Sequence, residues 1–356
     1  MNDTVNNLNE RQAALYQIII GSDKPLTRQQ IEGQVPASLK ASRVTTIRDL
    51  NVLKKLGLIA DNDKNNSPTT RYSAYNRLLE VVDVDAYYTH EFDARKLVGR
   101  PIHDFLDLLS EKSLLSNAEK IELTAANDAF RIRSANYPPE LQKKELERFV
   151  IELAWKSSAI EGNTYSILET ETLLKYGIPS KKHTTAETRM IINHKRAFDY
   201  IVQNRETFAH LGILDIIDLH KILIDQLNVD NGLRKVPVQI TGTNYLPPSG
   251  ELLLREYLER MIDIVNQKEH PVEKAIIAGA FVAYLQPFAD GNKRTSRLLS
   301  NALLLANEYC PLSYRNISEE DYKKAILLVD EQQNLYYFKN LVIGQFNYAA
   351  ENYLAI

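Results

Sequence analysis

Gln286-Pro287-Phe288-Ala289-Asp290-Gly291-Asn292-Lys293-Arg294-Thr295-Ser296-Arg297 stands at the mouth of a helical run that continues through Leu298-Leu299 to Leu305. A helix N-terminus offers unpaired backbone N–H groups and the positive end of a dipole to an anion. Arg294 and Arg297, three apart, project onto one face of that helix, and the guanidinium fork suits phosphate oxygens. Gly291 and Asn292 make the turn, Lys293 joins the two arginines, and Asp290 is left free to hold a divalent ion. Residues of these types in this order make a polyphosphate cradle, so the run predicts a nucleotide site. Its first residue limits the chemistry: a carboxamide has no nitrogen basic enough to take a proton near neutral pH, so Gln286 can orient a hydroxyl but cannot deprotonate it.

The run resembles the signature of the Fic (Fic/Doc) family of nucleotide-transferring proteins, His-x-Phe-x-Asp/Glu-Gly-Asn-Gly/Lys-Arg-x-x-Arg. It matches at every defined position except the first, where the catalytic His is replaced by Gln286. The resemblance implies ATP as substrate and Mg²⁺ at Asp290. It places the α-phosphate on Asn292 and the Gly291 backbone, the β-phosphate on Arg294 and the γ-phosphate on Arg297. The family's His takes the proton from a target hydroxyl as that hydroxyl attacks the α-phosphorus. Loss of a positioned base costs on the order of 10²–10⁴ in rate.

At 356 residues the chain is long for one core, which suggests two or three domains. With 43 basic against 46 acidic side chains the net charge is −3, so no global field announces nucleic acid or membrane, and any basic surface must be local. A single cysteine, Cys310, excludes an internal disulfide framework and fits a reducing cytosol. The first residues lack the charged-then-apolar pattern of a signal peptide, and no apolar run approaches the ~18 residues that span a bilayer. A soluble, cytoplasmic protein is expected; whether it forms a homo-oligomer is left open.

Residues 1–78 read as a winged helix-turn-helix. The first helix runs from about Asn9 to Ile20, and the second opens at Thr27 with Gln30 three residues on, a capping box. The third runs from Ser42 to Leu56, with Val44, Ile47, Leu50, Leu53 and Leu56 on its inner face and Gly57 as its stop. Leu58-Ile59 and Arg71-Tyr72-Ser73 pair as strands around the polar tip 61–68, in the manner of a wing. Residues 1–75 carry ten Lys/Arg against seven Asp/Glu. Arg43, Thr45, Thr46 and Arg48 at the start of the third helix suit mixed contact with bases and phosphates. The other reading of this unit is a protein-contact module.

Residues 79–144 read as a helical connector with no chemistry of its own, and 145–356 as a densely helical region. Within the latter, Lys235-Val236-Pro237-Val238-Gln239-Ile240-Thr241-Gly242-Thr243-Asn244-Tyr245 alternates apolar and polar residues before a glycine turn, which predicts a small β-hairpin. This segment resembles the Fic flap, which clamps the target and borders the nucleotide. Pro247-Pro248, Leu219-His220 and Gly232-Leu233-Arg234 belong to the same resemblance, which covers most of 145–350. It implies Thr243, Asn244 and Tyr245, with Tyr322 farther on, at the nucleobase side. A plain structural hairpin is the alternative.

Ser157-Ser158-Ala159-Ile160-Glu161-Gly162 closes an amphipathic stretch with Phe149, Val150, Leu153 and Ile160 facing inward. A carboxylate at that helix's negative end needs a compensating cation. The segment resembles the family's inhibitory motif, Ser/Thr-x-x-x-Glu-Gly/Asn, met by Ser157 and Glu161-Gly162. Carried over, Glu161 pairs with Arg297 and takes the arginine that should hold the γ-phosphate; an exposed Glu at a helix end is the bland reading.

The expected fold is mainly α: a helical Fic core with a small β-hairpin flap, preceded by a winged helix-turn-helix. The expected function is AMP transfer from ATP to a Ser, Thr or Tyr hydroxyl of a protein, autoinhibited by Glu161 and impaired by Gln286. The alternative is a DNA-binding regulator whose degenerate core senses nucleotide without chemistry. Removal of AMP, the metal-dependent reverse reaction, is also open.

Overall fold

A computed structural model describes residues 8–22, 25–61, 70–74 and 76–353. Helices α1 (Glu10–Ile20), α2 (Arg28–Gln34) and α3 (Arg43–Lys55) come first. Each starts on a side chain that accepts from the third residue in: Asn9 from the Gln12 amide, Thr27 from Gln30 and Ser42 from Thr45. Such caps satisfy donors the helix cannot reach. Strands β1 (Leu26–Thr27), β2 (Ile59–Asp61) and β3 (Arg71–Ala74) form an antiparallel sheet in the order β1-β3-β2, with Ile59 opposite Ala74 and Leu26 opposite Tyr72. The tip beyond Asp61 lies outside the described residues.

The inner face of α3 is turned from the expected one. Leu50 and Leu53 are buried beside Ile31, Ile59 and Tyr72, but Val44 is 77% and Leu56 41% exposed. Thr46 and Asp49 are buried in their place. Thr46 Oγ1 donates to the Ser42 carbonyl, and Asp49 receives Arg11 and Gln12 from α1. The bonds from α1 to Asp49 therefore fix the rotation, and of the four residues expected to meet DNA, Thr46 is withdrawn. Arg43 and Arg48 remain exposed and Thr45 is half-buried.

A second hydrophobic cluster extends from Leu78 to Tyr353. Helices α5 (Ile102–Glu111) and α6 (Asn117–Ala135) follow the short α4 (Val84–Tyr88). They place Phe105, Leu106, Leu109, Leu123 and Phe130 in this cluster, so much of the expected connector belongs to the main core. Next come α7 (Pro139–Ile160), α8 (Ile167–Tyr176), α9 (Thr185–Gln203), α10 (Ile213–Leu223) and α11 (Glu251–Gln267). The last four are α12 (Pro271–Leu285), α13 (Asn292–Ala306), α14 (Glu319–Gln332) and α15 (Tyr336–Asn352).

Every residue of α12 is buried, as expected of a helix that is apolar on every face beyond Glu273 and Lys274 and lies at the centre of a bundle. It packs directly on α13, where a Cβ on Gly279 would stand 2.6 Å from Ser300 Oγ, itself bonded to the Ala275 carbonyl at 2.8 Å. The glycine lets the two helices approach, and that approach sets the loop between them. Among the described residues no helix is long and apolar enough to cross a membrane.

Residues 235–249 contain no strand, so the expected hairpin is absent and the small sheet of the protein lies in the N-terminal unit. Pro237, Pro247 and Pro248 each lack a ladder donor. The segment is instead fastened at its base by Arg234, which is 3% exposed and donates to the carbonyls of Gln286, Val236 and Pro248.

Candidate functional site

Helix α12 ends on Gln286 in the left-handed region, φ 48° and ψ 57°, a conformation a non-glycine residue keeps only when its surroundings hold it. Four bonds do so. The Gln286 amide donates to Val282 O at 3.1 Å and its Nε2 to Ala283 O at 2.6 Å. Its carbonyl accepts from Arg234 Nε at 2.6 Å, and its Oε1 accepts from Asn292 Nδ2 at 2.9 Å. Asn292 closes the loop on itself, accepting from the Phe288 amide and donating to the Phe288 carbonyl, both at 2.9 Å.

Phe288 is fully buried and stacks on His220 with ring centroids 3.7 Å apart and planes 4° from parallel. His220 Nε2 donates to the Asp290 carbonyl at 2.9 Å. Burial pushes the His220 pKa down to about 4, so it supports the loop as a neutral ring. Gly291, at φ 80°, is hemmed by Ile224, Arg294 and His220, so a side chain there would meet both strain and contact. Sequence reading noted His220 and Arg234 but missed their roles, because both act on backbone carbonyls distant in sequence.

A cleft of about 190 Å³ opens above this loop, lined by Gln286, Asp290, Gly291, Asn292 and Lys293 on one side, Gln239, Ile240 and Thr241 on the other, and Glu161 at one end. Helix α13 begins here with no side-chain cap at Gly291. Arg294 is 3% and Arg297 0% exposed, and Nη1 of each is buried without a partner. Burial lowers the Arg294 pKa. Unsatisfied buried guanidinium donors at an uncapped helix start call for an anion.

The rest of Arg297 is fully engaged. Nε donates to Ser157 Oγ at 2.7 Å, and Nη2 to the Ser157 carbonyl and to Glu161 Oε1, both at 2.8 Å. Helix α7 ends at this point with Gly162 at φ 89° and with the Gly162 and Asn163 amides turned back to Ala159 and Ser158. Burial alone would raise the Glu161 pKa, but the charges of Arg297, Lys293 and Arg294 and the bond from Arg297 outweigh it and hold the carboxyl below its usual range. Glu161 is therefore a carboxylate at neutral pH.

Tyr322 and the far part of the flap are not where the resemblance implied. Tyr322 is 1% exposed and lies under the Arg297 guanidinium at 5.0 Å, so it backs the arginine instead of facing a base. Asn244 points to the Phe92 carbonyl and Asp93 Oδ1, and Tyr245 stacks on Tyr284 at 4.8 Å. Thr243 Oγ1 accepts from the Tyr245 amide. The cleft wall is 239–241, the half of the segment before the turn.

Asp290 is 69% exposed at its side chain and lies 3.5 Å from Arg294 Nη2, with Oδ1 accepting from the Gly291 amide. Among the described residues no group of three or more His, Cys, Asp or Glu gathers to hold a metal ion. One accessible carboxylate beside an anion cradle fits Mg²⁺, which binds through one or two carboxylates together with substrate phosphates.

Residues 211–304 match the Fic/DOC family, and the chain carries a domain of that family. It is 28% identical over 233 residues to a protein adenylyltransferase Fic of Drosophila mojavensis, covering 64% of this chain and 44% of that protein. It is 25% identical over 263 residues to one of Nematostella vectensis, covering 71% and 60%. The chain thus spans about half the length of these relatives. Among solved structures it resembles Fic-1 (residues 134–508) of C. elegans, with TM-score 0.57, 22% identity, and 67% of this chain and 70% of that one covered. It also resembles a Fic domain containing signaling protein of Bacteroides thetaiotaomicron, with TM-score 0.56, 20% identity and coverage of 66% and 95%.

Proposed function

We propose that this Fic/DOC-domain chain binds ATP with Mg²⁺ in the cleft above residues 286–297 and is built for AMP transfer to a protein hydroxyl, held in a state that does not transfer. The observation that carries the reading is the pair of buried arginines, Arg294 and Arg297, each with a free Nη1 at an uncapped helix start. In the reaction a target Ser, Thr or Tyr oxygen attacks the α-phosphorus, the bond from that phosphorus to the β-bridging oxygen breaks, and pyrophosphate leaves. Bound Mg²⁺ would neutralise the phosphates and the leaving group from Asp290. Arg294 holds the β-phosphate, and the α-phosphate lies at the Gly291–Asn292 turn, where the Gly291 amide exchanges Asp290 Oδ1, and Asn292 Nδ2 exchanges Gln286 Oε1, for a phosphate oxygen.

Two features stop the step. The hydroxyl proton needs an acceptor at position 286, and Gln286 has none to give; its Oε1 and Nε2 are already bonded to Asn292 and Ala283. Glu161 holds Arg297, so the γ-phosphate loses its arginine and the α-phosphorus does not line up for attack. Calorimetry with Mg²⁺ tests this. ADP and ATP should both bind, and Glu161→Gly should raise the affinity for ATP and leave that for ADP unchanged. Absence of heat from either nucleotide in both proteins removes the reading.

A second reading is favoured by the satisfied Gln286 side chain: the core senses nucleotide for a DNA-binding winged helix. Exposed Arg43 and Arg48 at the start of α3 support it. If they meet phosphates, affinity for duplex DNA falls with salt, and the double alanine variant lowers the log–log slope by about 2, close to one unit per contact. Failure to enrich any sequence from a random DNA pool, with no salt-dependent binding, favours a protein-contact role.

A further inference from the structure

We propose that Arg95 is a positioning residue for the nucleotide cleft, holding the flap wall 239–241 in place from outside the Fic/DOC-matched region. The inference rests on the nucleotide reading of the cleft. Arg95 lies in the segment after α4, is 7% exposed at its side chain, and donates from Nη2 to the carbonyl of Gly242, the residue that turns the flap. The same nitrogen pairs with Glu331 Oε1 of α14 at 3.1 Å, and the guanidinium lies over the Tyr88 ring at 4.8 Å. Tyr87 fixes the other oxygen of Glu331, donating to Oε2 at 2.7 Å, and the Val98 amide donates to the Glu331 carbonyl at 2.8 Å. Arg95 therefore has one orientation, set by α14 on one side and two tyrosine rings on the other.

The flap needs such an anchor. It has no strand partner, and beyond Arg234 at its base its side-chain links to other parts of the chain include Asn244 to Phe92 and Asp93, in the same segment as Arg95. Gly242 is adjacent to Thr241, which lines the cleft, so displacement of the turn carries the wall with it. The phosphate side takes its loop from α12 and its donors from α13, is backed by Tyr322 of α14 and is tied to the base of the flap by Arg234, whereas Arg95 holds the flap at its far turn. A ligand that touches both sides should thus depend on Arg95, and a ligand that touches only the phosphate side should not.

ADP and inorganic pyrophosphate, each with Mg²⁺, separate the two on the full chain. Arg95→Ala should weaken ADP about five- to tenfold, the cost of ordering a loosened segment on binding, and change pyrophosphate by less than about twofold. Arg95→Lys keeps the charge opposite Glu331 but lacks the planar fork, so it should recover part of the ADP loss. Asn244→Ala cuts the same strap from the flap side without removing a buried charge and should act in the same direction. Hydrogen exchange should quicken at amides 238–244 in Arg95→Ala and stay unchanged along α13. ADP affinity unaffected in both alanine variants, or ADP and pyrophosphate weakened equally, overturns the role; the second pattern makes Arg95 merely structural. If neither ligand binds the unsubstituted chain, the nucleotide reading itself falls, and this proposal with it.

Discussion

Gln286→His combined with Glu161→Gly should turn the protein into a self-modifying enzyme, with an initial rate of AMP incorporation on the order of 10²–10⁴ above that of the parent. The imidazole supplies the missing proton acceptor at a position already held at the end of α12, and Asn292 keeps its two bonds to Phe288 when Gln286 is gone. Gln286→His alone should remain slow, because Glu161 still holds Arg297 at 2.8 Å. Glu161→Gly alone should bind ATP in the reactive pose yet lack a base. Initial rates with labelled ATP and Mg²⁺ on the four proteins should show a combined effect larger than the product of the single ones, as for groups that act as one unit.

Arg297→Ala should be the most destabilising single change at the site, by about 3–5 kcal/mol, because it strands a partly buried carboxylate. Arg297 is fully buried, and its loss removes the bonds to Ser157 and Glu161 and the contact with Tyr322. Denaturant titration measures the loss, and pH gives it a signature. The folded pKa of Glu161 lies below its unfolded value, which is near 4.3 for a free Glu side chain. Its contribution is then complete above the unfolded pKa and lost as pH falls through the folded one. The stability gap between the parent and Glu161→Gln should stay constant from about pH 8 to 5 and narrow below about pH 4. A gap that widens on acidification would mean that Glu161 is protonated in the fold.

The signature loop was legible because each residue there answers a local demand: a left-handed turn at Gly291, an anion-ready helix start at Asn292, and cations at 294 and 297. Helix starts at Asn9, Thr27 and Ser42 were legible for a similar reason, since capping side chains act within three residues. What failed depended on distant partners. The rotation of α3 is decided by Arg11 and Gln12 reaching Asp49, which no period in the helix itself encodes. Tyr322 has the aromatic face of a base platform, but the path of the chain after α13 brings it beneath Arg297. The flap has the alternation of a hairpin, but its prolines withhold donors and it is held by Arg234, Arg95 and Asn244 instead of by a ladder.

The most direct test of the proposal that this is a transferase site stopped by Gln286 and by the Glu161–Arg297 pair is the intact mass of the Gln286→His, Glu161→Gly protein after incubation with ATP and Mg²⁺. The account predicts an AMP adduct that is lost again when Asn292 or Arg294 is changed to Ala. Binding of ATP with no adduct on the protein itself or on any protein of an added lysate contradicts it, and leaves a cleft that senses nucleotide without transferring it.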